Sequence, residues 1–150
     1  MINSRKVEDL APAVQVLALA FKAACAAKGY DIIFTSTLRD NECQASLYAV
    51  GRTVKGANPR LLKPMGDVVT NAKPGDSYHN YAVAFDFCPI VNGKAAWDDA
   101  SAFAECGSIA ESIGLEWSGR WDGKLKETAH CQFTGGLTIA DFKSGKTLGA

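Results

Sequence analysis

Apolar residues recur at three- and four-residue steps through Leu10, Val14, Leu17, Phe21 and Ala24, the stripe of an amphipathic helix. The pattern predicts a helix from about Val7 to Lys28, stopped at Gly29. Asp31 to Thr37 (DIIFTST), rich in β-branched and aromatic residues, predicts a strand. Asp40 or Asn41 caps a second helix that carries Cys43, Leu47 and Val50 as far as Gly51. From Arg52 to Asp76, Pro59, Pro64 and Pro74 with Gly56, Gly66 and Gly75 predict a long loop, and such loops are often functional. Ala82 to Pro89 reads as a strand leading to an Asn92-Gly93 hairpin turn. Asp98 or Asp99 then caps a helix running to about Ile113 and stopped by Gly114. Leu115–Trp117 and His130–Phe133 are short strands on either side of a Gly119–Lys126 loop, and Leu137–Phe142 is a short packing helix. Few strands, several helices and one hairpin predict an α+β fold rather than a βαβ repeat.

Size and composition narrow the picture. At 150 residues the chain is expected to form a single domain, 1–150, with no separate second module. Hydrophobic residues at 47% and charged residues at 21% are ordinary for a globular chain. Lys plus Arg and Asp plus Glu balance at 16 each, so no net field attracts nucleic acid or an anionic membrane. Five scattered cysteines without a CxxC pair argue against a thiolate zinc finger or a dense disulfide framework, and fit a reducing compartment. Glu8 and Asp9 stand where a signal peptide needs basic residues, and Pro12, Gln15 and Lys22 interrupt its apolar run. Neither a signal peptide nor a membrane anchor is therefore expected, and the chain is expected to be a monomer.

The chain has two histidines, His79 and His130, and each lies near acidic residues. Two imidazoles and one carboxylate form a usual ligand set for a catalytic zinc, with one coordination position left for water. On a strand, Asp86 shares a face with Ala84 and Ala82, small residues that leave room for a metal beside His79. By spacing alone this remains one of two readings, the other being ordinary surface or core histidines. A metal site requires the two rings within about 6 Å of each other, given bond lengths near 2 Å. Cys88 shares a face with Asp86 and stays open as a thiolate ligand, whereas Cys131 points away from His130.

Three ordered motifs add to this. Ser77 to Asp86 (SYHNYAVAFD) resembles the S-x-H-x-x-G-x-A-x-D signature of the zinc D,D-carboxypeptidase and L-alanyl-D-glutamate endopeptidase family. Gly114-Leu115-Glu116-Trp117, Gly119-Arg120-Trp121 and Glu127-x-x-His130-x-Gln132 are similar to the C-terminal half of its endopeptidase branch, which includes phage endolysins. Thr35 to Arg39, with Gln44, Leu47, Tyr48 and Gly51-Arg52, is similar to the family's arginine-bearing strand and the helix after it. The resemblance implies a small antiparallel sheet flanked by helices, of the Hedgehog and D,D-peptidase type. It implies that His79, Asp86 and His130 bind Zn2+ and that Glu127 is the catalytic carboxylate. It makes Arg39 the cation facing the substrate carbonyl or carboxylate, and Ser77 a substrate or supporting contact. Gln44 is then a substrate contact or a solvated helix position, Trp121 lines the cleft and Trp117 packs in the core. Arg39 has an alternative as a surface ion pair with Asp40 or Glu42.

The implied activity is hydrolysis of the L-alanyl-D-glutamate bond in peptidoglycan stem peptides by a phage endolysin. Such an enzyme is held in the host cytoplasm until a membrane hole made by another protein releases it to the wall. The alternatives are a D,D- or L,D-carboxypeptidase of the same fold and a non-catalytic zinc-containing wall binder. The sequence departs from the family pattern at Ala82 for glycine, Glu127 for aspartate, Ala129 for proline and Cys131 for an aromatic residue. Alanine at 82 is tolerable only if the backbone there does not need a positive φ.

Overall fold

The computed structural model describes residues 1–54, 68–121 and 127–149. Parts of the predicted Arg52–Asp76 and Gly119–Lys126 loops fall outside these residues. A 3-10 turn at Val7–Asp9 precedes α1 (Pro12–Ala27), followed by β1 (Asp31–Ser36) and α2 (Asn41–Ala49). A second 3-10 turn at Tyr78–Tyr81 leads into β2 (Ala84–Val91) and β3 (Lys94–Ala95). The chain continues through α3 (Ala100–Ser112), β4 (Glu116–Trp117), a 3-10 turn at Ser118–Arg120, β5 (His130–Gln132) and α4 (Ile139–Lys143). The strands form one antiparallel sheet in the order β1-β2-β5-β4, with β3 paired to β2. This is the expected α+β architecture.

The first helix starts later than its periodicity predicts. Pro12 sits at its first position, where a missing N–H costs nothing and a fixed φ favours the helix. Leu10, Val14, Ala18, Phe21 and Cys25 face the core, with Leu17 and Ala24 at its margin. Phe21 packs edge-on against Phe87 (centroids 5.0 Å apart), which in turn meets Phe103 of α3 at 5.5 Å. Each such fully buried side chain stabilises the fold by roughly 1.5–3 kcal/mol. Because Phe85 and Phe87 enter the core, strand alternation turns Asp86 to the opposite face.

Smaller signals hold as well. Asp40 caps α2 by accepting from Cys43 N (2.8 Å), and Asp99 caps α3 by accepting from Ala102 N (3.0 Å). Asn92 and Gly93 both take positive φ (53° and 77°), as a tight hairpin turn requires. Trp117 is buried and lies so close to α3 that a Cβ on Gly107 would stand 2.2 Å from its ring. That contact holds the edge strand β4 in place beside β5. No helix among the described residues is long and apolar enough to cross a membrane.

Candidate metal centre

The antiparallel register of β2 and β5 sets Asp86 directly opposite His130. His79 arrives from the 3-10 turn just before β2. Ser77 opens that turn by accepting from His79 N (3.3 Å), and Asn80 closes it with Oδ1 accepting from Gly75 N (3.1 Å) and Ser77 N (3.3 Å). The Asn80 amide also donates to Arg39 O (3.0 Å), tying the turn to the segment after β1. From below, Phe142 of α4 stacks on Tyr81 (5.1 Å) and meets Tyr78 edge-on, while Lys143 pairs with Asp76. The short C-terminal helix thus braces the histidine-bearing turn.

One ligand atom from each of His79, Asp86 and His130 lies within 4.8 Å of the others, and the two rings are 5.1 Å apart. His79 Nδ1 donates to Thr37 O (2.8 Å), so the neutral ring carries its lone pair on Nε2, which faces Asp86 Oδ1 at 3.2 Å. His130 Nε2 donates to Gln132 Oε1 (2.8 Å), so its lone pair is on Nδ1, which faces the same Oδ1 at 3.3 Å. Two neutral imidazoles and a carboxylate thereby turn lone pairs toward one point. Without a cation between them these groups repel, and a divalent ion that prefers nitrogen and oxygen donors resolves the conflict. The donor set fits zinc.

With no cation between the three groups, a proton is what their electrostatics favour on the His130 side. Burial pushes the His79 pKa below its ordinary value, although Asp86 opposes this. Burial also pulls on His130, but its hydrogen bond to Asp86 and the charge of Asp86, aided by Gln132 and Glu127, hold its pKa above the ordinary value. Burial favours protonated Asp86, yet the charge of His79 and the hydrogen bonds that both imidazoles donate when they are protonated outweigh it, and hold its pKa far below the usual range.

Arg39 is oriented toward the ligands. Its Nη2 donates to Asp86 Oδ2 (3.1 Å), Nη1 to Gln44 Oε1 (3.1 Å) and Nε to Ser36 Oγ (3.0 Å). Its ion pair is with Asp86, not with Asp40 or Glu42 as in the surface alternative. Gln44 is fully buried, neither a solvated helix position nor part of the cleft lining. Its amide donates to Ala72 O (2.8 Å), fastening the loop before His79 to Arg39. Its polar side chain on a short helix gave no sign of this, because the partner loop is remote in sequence.

A cleft of about 690 Å³ opens over the three convergent residues, lined by Arg39, Ser77, Trp121 and Glu127 among others. Trp121 stands 6.0 Å from the His130 ring. Glu127 is exposed at the cleft, where Ser118 Oγ donates to its carbonyl (2.6 Å) and accepts from its N–H (3.0 Å). Ser118, Asn80 and the Thr37 carbonyl are supports that sequence reasoning missed. A main-chain carbonyl has no residue signature, and a single serine or asparagine has little.

Two expectations need correction. Ala82 does not lie on the strand with Ala84 and Asp86 but ends the 3-10 turn with φ 61°, ψ 27°. The left-handed backbone favoured by glycine is thus retained with alanine in it, and the condition for cost-free replacement is not met. Cys88 lies in the core with its thiol donating to Pro89 O (3.4 Å), outside the convergent group.

The family model described as D-alanyl-D-alanine carboxypeptidase, of the peptidase M15 group, matches residues 70–133. The peptidoglycan L-alanyl-D-glutamate endopeptidase CwlK of Bacillus subtilis is 37% identical over 133 residues, covering 83% of this chain and 73% of its own. The L-Ala D-Glu endopeptidase ChiX of Serratia marcescens superposes with a TM-score of 0.61 at 17% identity, covering 94% of this chain and 92% of ChiX. The vancomycin-resistance D,D-pentapeptidase VanY, solved in complex with Zn(II), gives 0.63 at 16% identity over 89% of this chain and 83% of VanY. At these identities the two structures speak for the fold.

Proposed function

Since the chain belongs to the peptidase M15 family, we propose that it is a zinc metallopeptidase that hydrolyses the L-alanyl-D-glutamate bond of peptidoglycan stem peptides. The observation that carries the reading is the meeting of His79 Nε2, His130 Nδ1 and Asp86 Oδ1 at the floor of an open cleft. The likeness to CwlK supports the choice of bond.

His79, Asp86 and His130 would hold the zinc, which when bound acidifies solvent for attack and polarises a carbonyl. Glu127, three residues before a ligand and exposed on the same cleft, takes the proton released by the attacking water and returns it to the leaving amine. Arg39 fixes Asp86 through Oδ2 and keeps positive charge beside the reacting carbonyl. Ser77 and Trp121 offer polar and aromatic contacts to the stem peptide along the cleft walls. Digestion of muropeptides with mass analysis of the fragments tests the bond. Free L-alanine-terminated and D-glutamate-terminated pieces are expected, and release of terminal D-alanine alone would assign the chain to the carboxypeptidase reading, which the family model's description favours.

We further propose a role as a phage endolysin, accumulating in the host cytoplasm until another protein opens the membrane. Permeabilising cells that express it should then cause turbidity to fall, and unchanged turbidity would contradict the role. A non-catalytic binder is the weaker reading, because both histidines, Asp86 and a carboxylate at Glu127 are all present around the cleft.

A further inference from the structure

We propose that Gln132 and Glu116 are positioning residues that fix which nitrogen of His130 is free to bind metal. The inference rests on the zinc reading of the site. Gln132 is on β5, two residues after His130 and on the same face, and it is buried at 3% exposure. Its register partner across the sheet is Glu116 of β4. The Gln132 amide donates to Glu116 Oε2 (2.8 Å), and its oxygen meets His130 Nε2 at 2.8 Å. Thr134 Oγ1 donates to Glu116 Oε1 at 3.3 Å, so both carboxylate oxygens are engaged.

The direction of this chain follows from donor and acceptor chemistry. A carboxylate only accepts, so the amide NH2 of Gln132 must turn toward Glu116 and its oxygen toward His130. An amide oxygen also only accepts, so His130 Nε2 must carry the hydrogen. The neutral ring is then left with its lone pair on Nδ1, the atom 3.3 Å from Asp86 Oδ1. Without the relay, the opposite tautomer is favoured in the zinc-free protein, because an Nδ1–H would donate to the Asp86 carboxylate. Metal binding would then have to displace that proton. His79 needs no such device, because the Thr37 carbonyl sets its tautomer directly.

The test uses the whole chain with two readouts: zinc affinity by competition with a chelator, and the His130 tautomer from ring nitrogen shifts in the zinc-free protein at alkaline pH. Q132M keeps the side-chain volume and removes the relay; it should weaken zinc about 10- to 100-fold, the usual cost of losing such a partner, and populate the Nδ1–H tautomer. E116Q lets the amide pair in either direction and should give a smaller shift of the same sign. The double swap E116Q/Q132E restores an acceptor toward the ring and a donor from position 116, so native affinity and tautomer should return, which a merely structural role does not predict. If Q132M fails to fold, E116Q and the double swap decide alone. Unchanged affinity and tautomer in folded Q132M, or in E116Q should Q132M not fold, overturn the proposal and leave the zinc reading intact. Failure of the unaltered chain to bind zinc would instead remove that reading.

Discussion

The two halves of the metal centre are built on different supports. On one side His79 sits in a capped turn, and its far nitrogen is held by a main-chain carbonyl that no substitution at Thr37 removes. On the other side His130 sits on a three-residue strand, and its far nitrogen is held by the side chain of Gln132, itself oriented by Glu116 at the sheet edge. Asp86 lies between them on the central strand, with Arg39 on its second oxygen. The first half is robust because its orienting group is backbone. The second half is tunable because its orienting groups are side chains.

The largest effect should come from separating binding from turnover on the His130 side. H130A is expected to lose zinc more than about 100-fold, exceeding the usual cost of an outer partner. E127A should keep zinc and lose turnover by about 10²- to 10⁴-fold, the range for a general acid–base group. Equal zinc loss in both, read by elemental analysis beside an assay on cell wall, would contradict that division. R39K probes the shared member: it retains charge but not the fork that spans Ser36, Gln44 and Asp86. It should weaken zinc by roughly tenfold, within the range for outer-shell partners, as measured by chelator competition.

Acid should reveal the asymmetry of the halves. Each histidine must be neutral to bind metal, so protons compete and affinity falls as pH falls. With the His130 pKa raised and the His79 pKa lowered, the first proton enters above about 6.5, the ordinary histidine value, and the second below it. A plot of log affinity against pH should therefore steepen from a slope near one to a slope near two on acidification. A flat profile between pH 8 and 5 would exclude histidine ligation.

The backbone-held half makes the smaller predictions. T37V removes the hydroxyl bond to Lys6 O (2.9 Å) but not the carbonyl, so stability should drop by about 1–2 kcal/mol while zinc affinity stays within twofold. A tenfold loss of affinity would show that this half is no more robust than the other. A82G relieves a left-handed alanine that costs roughly 1–2 kcal/mol, offset by the flexibility glycine adds to the unfolded chain. A net stabilisation of about 0.5–1 kcal/mol is expected in denaturant unfolding, and destabilisation would contradict the strain.

Much of this was legible in the sequence because the governing signals are local. Caps at Asp40 and Asp99, the Asn92-Gly93 turn and the stripe on α1 each act within a few residues. The motifs around His79 and His130 likewise named residues that the fold brings together. The supports were hidden because they are long-range or carried by backbone. Gln44 reaches 28 residues along the chain to Ala72, Asn80 reaches 41 back to Arg39, and Thr37 acts through its carbonyl. The Ala82 expectation failed because an apolar alternating run does not reveal where a strand begins, and the first residues of AVAFDFCP still belong to the turn.

X-ray absorption at the zinc edge of the purified, zinc-loaded chain tests the metal centre most directly. One zinc per chain is expected, with two imidazole nitrogens and one or two oxygens at about 2.0–2.2 Å and no sulfur. A sulfur shell at about 2.3 Å, or four protein ligands closing the site, would contradict an open His79–Asp86–His130 centre.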